Sequence, residues 1–289
     1  MTGSPLLVAV TRALLRAGAE LTITQPDSIE AARAQVGEAV AGGRYDAILA
    51  AGGDGTIRQV AATLIGTAMP LGIVPMGTGN VLAHEIGVPP EARAIADMLL
   101  NGPVIDAACA RANDKPFLLM AGAGFDARVI AALDHRLKSQ VGKAAYAGPM
   151  LGALVHAVDT LTVTIDGKPH EASWAVISNV RRYGGNFVMA RHTGIEVRGL
   201  QAILFKARNR TVLVGQLMAL AMGTLDERSA RHGDVEMLPC HKAHVTAHKA
   251  VPTQIDGDAF GVTPLVVEAG ATELRLIVPK HHRKPAAAR

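Results

Sequence analysis

The 289-residue sequence predicts an α/β domain built on a parallel sheet, followed by a mostly antiparallel β domain. Three observations predict this order. Up to about residue 100, strand-like and helix-like patterns alternate, as parallel strands joined by crossover helices require. Two glycine-rich turns, Gly52-Gly53-Asp54-Gly55 and Gly77-Thr78-Gly79, follow consecutive predicted strands. After Pro103 the pattern changes to period-two alternation, best seen in Leu161-Thr162-Val163-Thr164-Ile165, which marks half-buried antiparallel strands. The expected division is residues 1–104 and 105–289, with the C-terminal end returning to the first domain.

The elements follow in order. Leu21–Thr24 reads as a short strand. Asp27 or Ser28 caps a helix toward Val40 that Gly42-Gly43 ends. Asp46–Ala51 is a buried strand, and a helix starting at Thr56 repeats Ile57, Val60, Ala61 and Leu64 at helical spacing. Leu71–Val74 is a strand stopped by Pro75; helices follow to Ile86 and over Glu91–Leu100. In the second part, Asp166-Gly167 marks a hairpin after Ile165. Further strands are predicted at Ala172–Ser178, Ile195–Lys206, His244–His248, Thr253–Asp256, Pro264–Val267 and Glu273–Val278. Helical stretches are predicted at Ala127–Leu133, Lys143–Val158 and Thr211–Leu220.

Composition narrows the function classes. Hydrophobic residues make up 49% and charged residues 19%, which suits a packed globular chain. Aromatics are only 3%, too few for a protein that stacks nucleic-acid bases, so no nucleic-acid partner is expected. The net charge of +4 fits phosphate-bearing ligands or an anionic membrane surface. Cys109 and Cys240 fit no metal spacing and read as free thiols of a reducing compartment. No apolar run reaches the ~18–20 residues of a membrane span, and no signal peptide is evident.

The chemistry-bearing residues lie in three turns. Gly52, Gly53 and Gly55 let the backbone approach a ligand closely, and the helix start at Thr56 offers free N–H groups to phosphate oxygens. Asp54, the one acid in this turn, would repel a phosphate and is read as a magnesium partner or proton acceptor. In the second turn, Gly77 and Gly79 flank Thr78, which offers a hydroxyl; Asn80 offers an amide that bonds phosphate or caps the next helix. One strand–helix–strand unit separates the two turns, so they sit on neighbouring parallel strands, where ligands bind beyond the carboxyl ends. The third turn is Asp256-Gly257-Asp258. Asp-Gly alone is an ordinary hairpin turn; projected into a cleft, its carboxylates would bind magnesium or accept a proton. Weaker candidates are His241, His244 and His248, read as surface or hairpin residues, and Arg181-Arg182-Tyr183, a cleft-edge loop. Thr211–Leu225 reads as a half-buried helix rather than a membrane-touching one.

The three turns, in this order, resemble the diacylglycerol kinase catalytic-domain family, which includes bacterial lipid kinases and sphingosine kinases and is distantly similar to NAD kinases. Gly124-Phe125-Asp126-Ala127, Gly142-Lys143-Ala144-Ala145-Tyr146, and Ser178-Asn179 followed by Gly184-Gly185 extend the likeness over most of the chain. The resemblance implies a β-sandwich-like second domain, with ATP and Mg2+ in the cleft between the domains. It implies transfer of the γ-phosphoryl group to a lipid hydroxyl, with Asp54 and Asp256 as the catalytic carboxylates and no choice made between them as base. Gly52, Gly53, Gly55, Thr56, Gly77, Thr78, Gly79, Asn80 and Asp258 are the implied nucleotide residues, and Asp54 and Asp258 the implied metal partners. It places the protein at the cytoplasmic membrane surface, bound peripherally to its lipid substrate. Oligomeric state is open, with a homodimer among the expectations.

Four departures stand out. Family members begin with a strand and an Asn-Pro-x-(Ser/Ala)-Gly loop; this sequence starts at Met1-Thr2-Gly3-Ser4-Pro5, so that strand and phosphate loop are expected to be missing. Arg198-Gly199-Leu200 replaces a metal-holding Asp-Gly-Leu, so that metal is not expected. Val81-Leu82-Ala83-His84 replaces Asp-Phe-Ala-Arg, and Asp258 replaces a Glu one methylene longer. The rival expectations are a catalytically weak lipid-binding or regulatory homologue lacking the first phosphate loop, and a NAD kinase.

Overall fold

The computed structural model describes residues 4–132, 147–155 and 159–282. The expected segment Gly142–Tyr146, both ends of the helix expected over Lys143–Val158 and the last residue of that expected over Ala127–Leu133 lie outside the described residues.

The first part is a three-layer α/β unit. Strands β1 (Ile48–Gly52) and β2 (Leu71–Pro75) pair in parallel, with Gly52 opposite Pro75. Alternate β2 side chains leave on opposite faces. Ile73 packs toward α2 (Ile29–Gly42) and α3 (Asp54–Leu64), with Val36, Ile57, Ala61 and Leu64. Val74 packs toward α1 (Pro5–Arg16) and α5 (Ala92–Asn101), with Val10, Leu14, Ile95 and Leu99. The short helix α4 (Val81–Ile86) follows β2. Local chemistry sets the ends. The Ser28 hydroxyl accepts from the Ala31 N–H at 3.1 Å to start α2, and Gly43 at φ 60° stops it. Pro5 occupies the first turn of α1, where no N–H is needed.

The second part is a sandwich of two sheets. One face is β12 (Val235–Cys240), β11 (Leu200–Phe205), β8 (Trp174–Ser178), β5 (Met120–Ala123), β14 (Pro252–Ile255) and β15 (Asp258–Val262), in that order. The opposing face holds β3 (Val104–Ala112), β4 (Lys115–Phe117), β6 (Leu161–Ile165), β7 (Lys168–Ala172), β13 (Lys242–Ala247) and β16 (Leu265–Ile277). Between them lies a core of small and β-branched residues: Ala121, Ala175, Ala202 and Ile177 face Val163, Ala243, Val245 and Val267. An interface filled by alanine and valine explains how so few aromatics suffice. Three aromatics gather around Trp174, which stacks on Phe205 at 3.9 Å, tilts against Phe125 at 5.6 Å and meets Tyr183 edge-on at 6.1 Å. Helices α6 (Phe125–Ala131), α7 (Ala147–Val155), α8 (Arg210–Met222) and α9 (Leu225–His232) complete this part. The hairpin of β9 (Arg182–Tyr183) and β10 (Phe187–Val188) stands beside α4.

Strand β16 joins the two parts. It pairs antiparallel with β3 over Val267–Ala269 and Glu273–Ile277; its start also pairs with β13, and near its end Leu276 pairs in parallel with Leu71 of β2. One continuous eight-stranded sheet results.

Several expectations need correction. Leu21–Thr24 is extended but pairs with nothing as a strand. β1 is an edge strand, with Leu49 36% exposed, rather than fully buried. α3 begins at Asp54, two residues before Thr56, because Gly53 serves as its N-cap. Pro264–Val267 and Glu273–Val278 are one strand, interrupted by a register shift between Ala269 and Glu273. Helices α1 and α9 and strands β3, β4, β5, β9, β10, β12 and β15 had no prediction. Cys109 and Cys240 are both buried and free.

Candidate active site

The parallel pairing of β1 and β2 sets the two glycine turns side by side at the carboxyl ends of their strands. They touch through backbone. A Cβ on Gly77 would lie 2.6 Å from the Gly53 Cα, so no larger residue fits there without parting the turns. The Met76 N–H donates to the Gly52 carbonyl at 2.9 Å, extending the ladder into the turns. Gly53 caps α3 without a side chain, so the N–H groups of the first turn are left to solvent or a ligand. Thr56 is exposed there, and Thr78 is half-buried in the neighbouring loop.

Asp54 joins the two turns. Its Oδ2 accepts from the Val81 N–H at 3.1 Å and its Oδ1 from the Leu82 N–H at 3.2 Å, so an acid on α3 caps α4. Helix N-termini favour such a negative group. Gly79 leaves the room: a Cβ there would sit 3.3 Å from Asp54 Oδ2. Asn80 does not cap α4. It sits at φ 47°, its Oδ1 accepting from the Gly77 N–H and its Nδ2 donating to the Gly77 carbonyl, both at 2.8 Å. Its amide thus closes the loop on itself instead of reaching outward.

The third turn comes to the same place. Asp256 (φ 50°) and Gly257 (φ 82°) form a two-residue hairpin turn between β14 and β15, so the ordinary reading of Asp-Gly holds for the backbone. The side chains do more. Asp258 reaches α3, accepting from Arg58 Nη2 at 2.6 Å, and a Cβ on Gly55 would meet its Oδ2 at 3.1 Å. Asp256 is buried and turns inward. It accepts from the N–H groups of Leu118, Leu119 and Met120 at 3.0, 2.8 and 3.1 Å. Burial pushes its pKa up to about 6, against the pull of those N–H groups and of Arg58, whose Nε stands 3.9 Å away.

Sequence reasoning missed Arg58, the cation that carries α3 to the hairpin. Its signal was its place four residues after Asp54, on the same helix face. It also missed Glu85 on α4. This carboxylate is buried and accepts from the Arg181 N–H at 3.1 Å, Arg181 Nε at 3.0 Å and the Arg182 N–H at 3.2 Å. Arg181 is therefore a link between the two parts, not a free loop cation. Asp126 is buried beside β14: it accepts from the Ala127 N–H at 2.7 Å and Gln254 Nε2 at 3.0 Å, and burial raises its pKa to about 6. His241, His244 and His248 join no metal-ligating cluster among the described residues. Arg198 pairs with Glu273.

The expected metal partners Asp54 and Asp258 are both engaged by protein groups in this structure. Asp258 is held by Arg58, both Asp54 oxygens serve α4, and no group of three potential ligands occurs among the described residues. The arrangement suits a polyphosphate that brings its own cation.

A two-domain architecture with three glycine-containing turns, two of them carrying aspartate, converging between its parts defines a class. The diacylglycerol kinase catalytic-domain profile matches residues 2–112, and the profile of the YegS C-terminal, NAD kinase β-sandwich-like domain matches residues 120–278. The second match spans more than half of the chain, so the chain belongs to the family that carries this YegS-type C-terminal domain, here behind a diacylglycerol kinase catalytic domain. Among relatives, a diacylglycerol kinase of Mycobacterium tuberculosis is 28% identical over 263 residues, covering 86% of this chain and 82% of that protein. An uncharacterized Synechocystis protein is 31% identical over 245 residues, or 80% of this chain; the aligned part spans about half (54%) of that protein's length. A crystal structure of a diacylglycerol kinase from Bacillus anthracis matches with a TM-score of 0.72 at 18% identity, covering 96% of this chain and 92% of that one.

Proposed function

We propose that this chain is an ATP-dependent lipid kinase that transfers the γ-phosphoryl group to a lipid hydroxyl, of a diacylglycerol-like or sphingoid-like acceptor. The observation that carries this reading is the convergence of the three turns: Gly53 against Gly77, Asp54 on the start of α4, and Arg58 of α3 on Asp258. Backbone N–H groups at the start of α3 and in the glycine turns hold the phosphates, with Thr56 and Thr78 beside them. ATP enters as its magnesium complex, and the cation offsets charge that develops on the phosphoryl group. Phosphoryl transfer asks the protein chiefly for positioning and charge neutralisation.

The carboxylates take distinct parts in this reading. Asp54 fixes both turns through its bonds to the first N–H groups of α4, and its carboxylate stands where the acceptor hydroxyl or the nucleotide's cation would come. Asp256 holds residues 118–120 and, with Arg58, sets the height of the hairpin over α3. Asp258 presents a charge at the mouth of the glycine turn, balanced by Arg58. The acceptor is delivered from a membrane surface on the cytoplasmic side, met peripherally; among the described residues, no helix is long and apolar enough to cross a membrane.

The test is radiolabelled ATP and Mg2+ incubated with the pure protein and mixed lipid micelles, with NAD as a parallel acceptor. Label is expected on lipid. Asp54→Asn is expected to lower transfer roughly 10²–10⁴-fold while circular dichroism stays that of wild type. Label on NAD alone, transfer to nothing, or wild-type turnover by Asp54→Asn would each defeat this reading.

A further inference from the structure

A lipid kinase has to meet a bilayer, and one surface of this chain has the chemistry to do so. Helix α8 buries Leu213, Gln216, Ala219 and Leu220 against the second part. A surface helix ordinarily carries charged residues on its other face. Here the outer positions are Thr211, Val214, Met218, Ala221 and Met222, and the only charged residue of the helix is Arg210 at its first position. Val214 is 41% exposed, Met218 57% and Met222 66%. The neighbouring β9–β10 hairpin adds exposed Phe187, and β10 packs beside α8 while β9 packs beside α4. The apolar surface is thus connected, through one hairpin, to the helix that follows the Gly77–Asn80 turn.

The charges leading into this face are mostly basic, and acids return only with Asp226 and Glu227 on α9. Residues 173–225 contain seven Arg and Lys and a single acid, Glu196. That acid is buried against His282, 3.0 Å away. Arg208 and Arg210 are exposed at the start of α8. At its other end Arg191 donates to the Gly223 carbonyl at 2.8 Å and pairs with Asp226 of α9. An uncharged, methionine-rich face with a basic rim matches an anionic lipid surface, where apolar side chains enter the acyl boundary and arginines meet headgroup phosphates. A second copy of the chain is a poorer match. A two-fold contact sets the same patch against itself and would bring basic rim to basic rim.

We propose that the outer face of α8, with Phe187, docks this chain on anionic bilayers. The inference deepens the lipid-kinase reading by naming the surface that meets the substrate's membrane, and it can be tested without any turnover. The full-length protein is sedimented with phosphatidylglycerol-containing vesicles and with phosphatidylcholine vesicles alone. Wild type is expected to bind the anionic vesicles. Met218→Glu, and independently Phe187→Ser on the hairpin, are expected to weaken that binding at least ~10-fold, with thermal melts unchanged because both side chains are exposed. Arg208→Ala is expected to weaken it about 5-fold and to leave the phosphatidylcholine result as it was. Three results would overturn the proposal: no binding by wild type, wild-type binding by both Met218→Glu and Phe187→Ser, or a wild-type dimer in light scattering that Met218→Glu splits. The outcomes separate from those of the kinase reading. Asp54→Asn is expected to sediment with vesicles as wild type does, so a docking face that works beside absent phosphoryl transfer would defeat only the enzymatic proposal.

Discussion

At the residue scale, two buried carboxyls set a pH dependence. Asp126 and Asp256 both have pKa values pushed up to about 6, because burial disfavours their charged forms more than their hydrogen bonds favour them. In the unfolded chain each titrates near its ordinary value of 3.8. Between those values the folded protein binds more protons, so these groups contribute stability that is complete below about pH 4 and is lost as pH rises through about 6. The loss is on the order of 2–3 kcal/mol for each group. Urea unfolding of Asp126→Asn is expected to show a flatter stability profile between pH 4 and 7 than wild type; an unchanged slope would remove Asp126 from this account. Asp54 acts differently. Its two bonds to the first turn of α4 cap that helix, so Asp54→Ala should cost about 1–2 kcal/mol in thermal unfolding, and Asp54→Asn, which keeps one acceptor oxygen, less.

Between elements, close backbone contact and one buried ion pair carry the geometry. The glycine turns after β1 and β2 meet at Gly53 and Gly77 with no room for a side chain. Gly77→Ala is expected to part them at a cost of about 1–3 kcal/mol and to lower phosphoryl transfer along with stability. Glu85 of α4 ties the second turn to the β9 hairpin through Arg181 and Arg182. Its side chain is 1% exposed, so Glu85→Ala leaves buried N–H groups and a guanidinium without their acceptor. A loss of about 3–5 kcal/mol is expected in denaturant unfolding. A Glu85/Arg181 double-mutant cycle with no coupling energy would show that the pair does not link the two parts.

For the whole molecule, β16 is the decisive element. It belongs to the sandwich through β3 and β13 and to the α/β unit through Leu276 beside Leu71. Arg58 adds a side-chain bridge from α3 to the hairpin of the sandwich. The two parts should therefore unfold together. Fluorescence of the single tryptophan, Trp174, reports on the sandwich, and hydrogen exchange of β2 amides on the α/β unit. Coincident denaturant midpoints are expected for both; two separated transitions would mean that the shared strand does not couple them.

Local pattern was enough wherever chemistry acts over short range. Ser28 and Gly43 bounded α2, Asp166-Gly167 marked a hairpin, and the order of the three turns pointed to phosphate chemistry. It failed where an element's partner is distant in sequence. Strand β3 is rich in alanine and carries little period-two contrast, with Ala107–Ala110 all buried, and its long partner β16 comes from the far end of the chain. Leu21–Thr24 has strand-like residues but no strand beside it. The sequence by itself determined the class of architecture, the two glycine turns, and the acids of the first turn and the Asp-Gly-Asp hairpin, since glycine conformations and strand–helix alternation are local properties. Only the tertiary structure decided what those acids touch. Asp54 caps a helix that begins 27 residues later, Asp256 collects three N–H groups from residues 118–120, and Arg58 finds Asp258 two hundred positions away. The first two pairings depend on strand order within each part and the last on how β16 folds the second part back onto the first, and no pattern within a single segment encodes that.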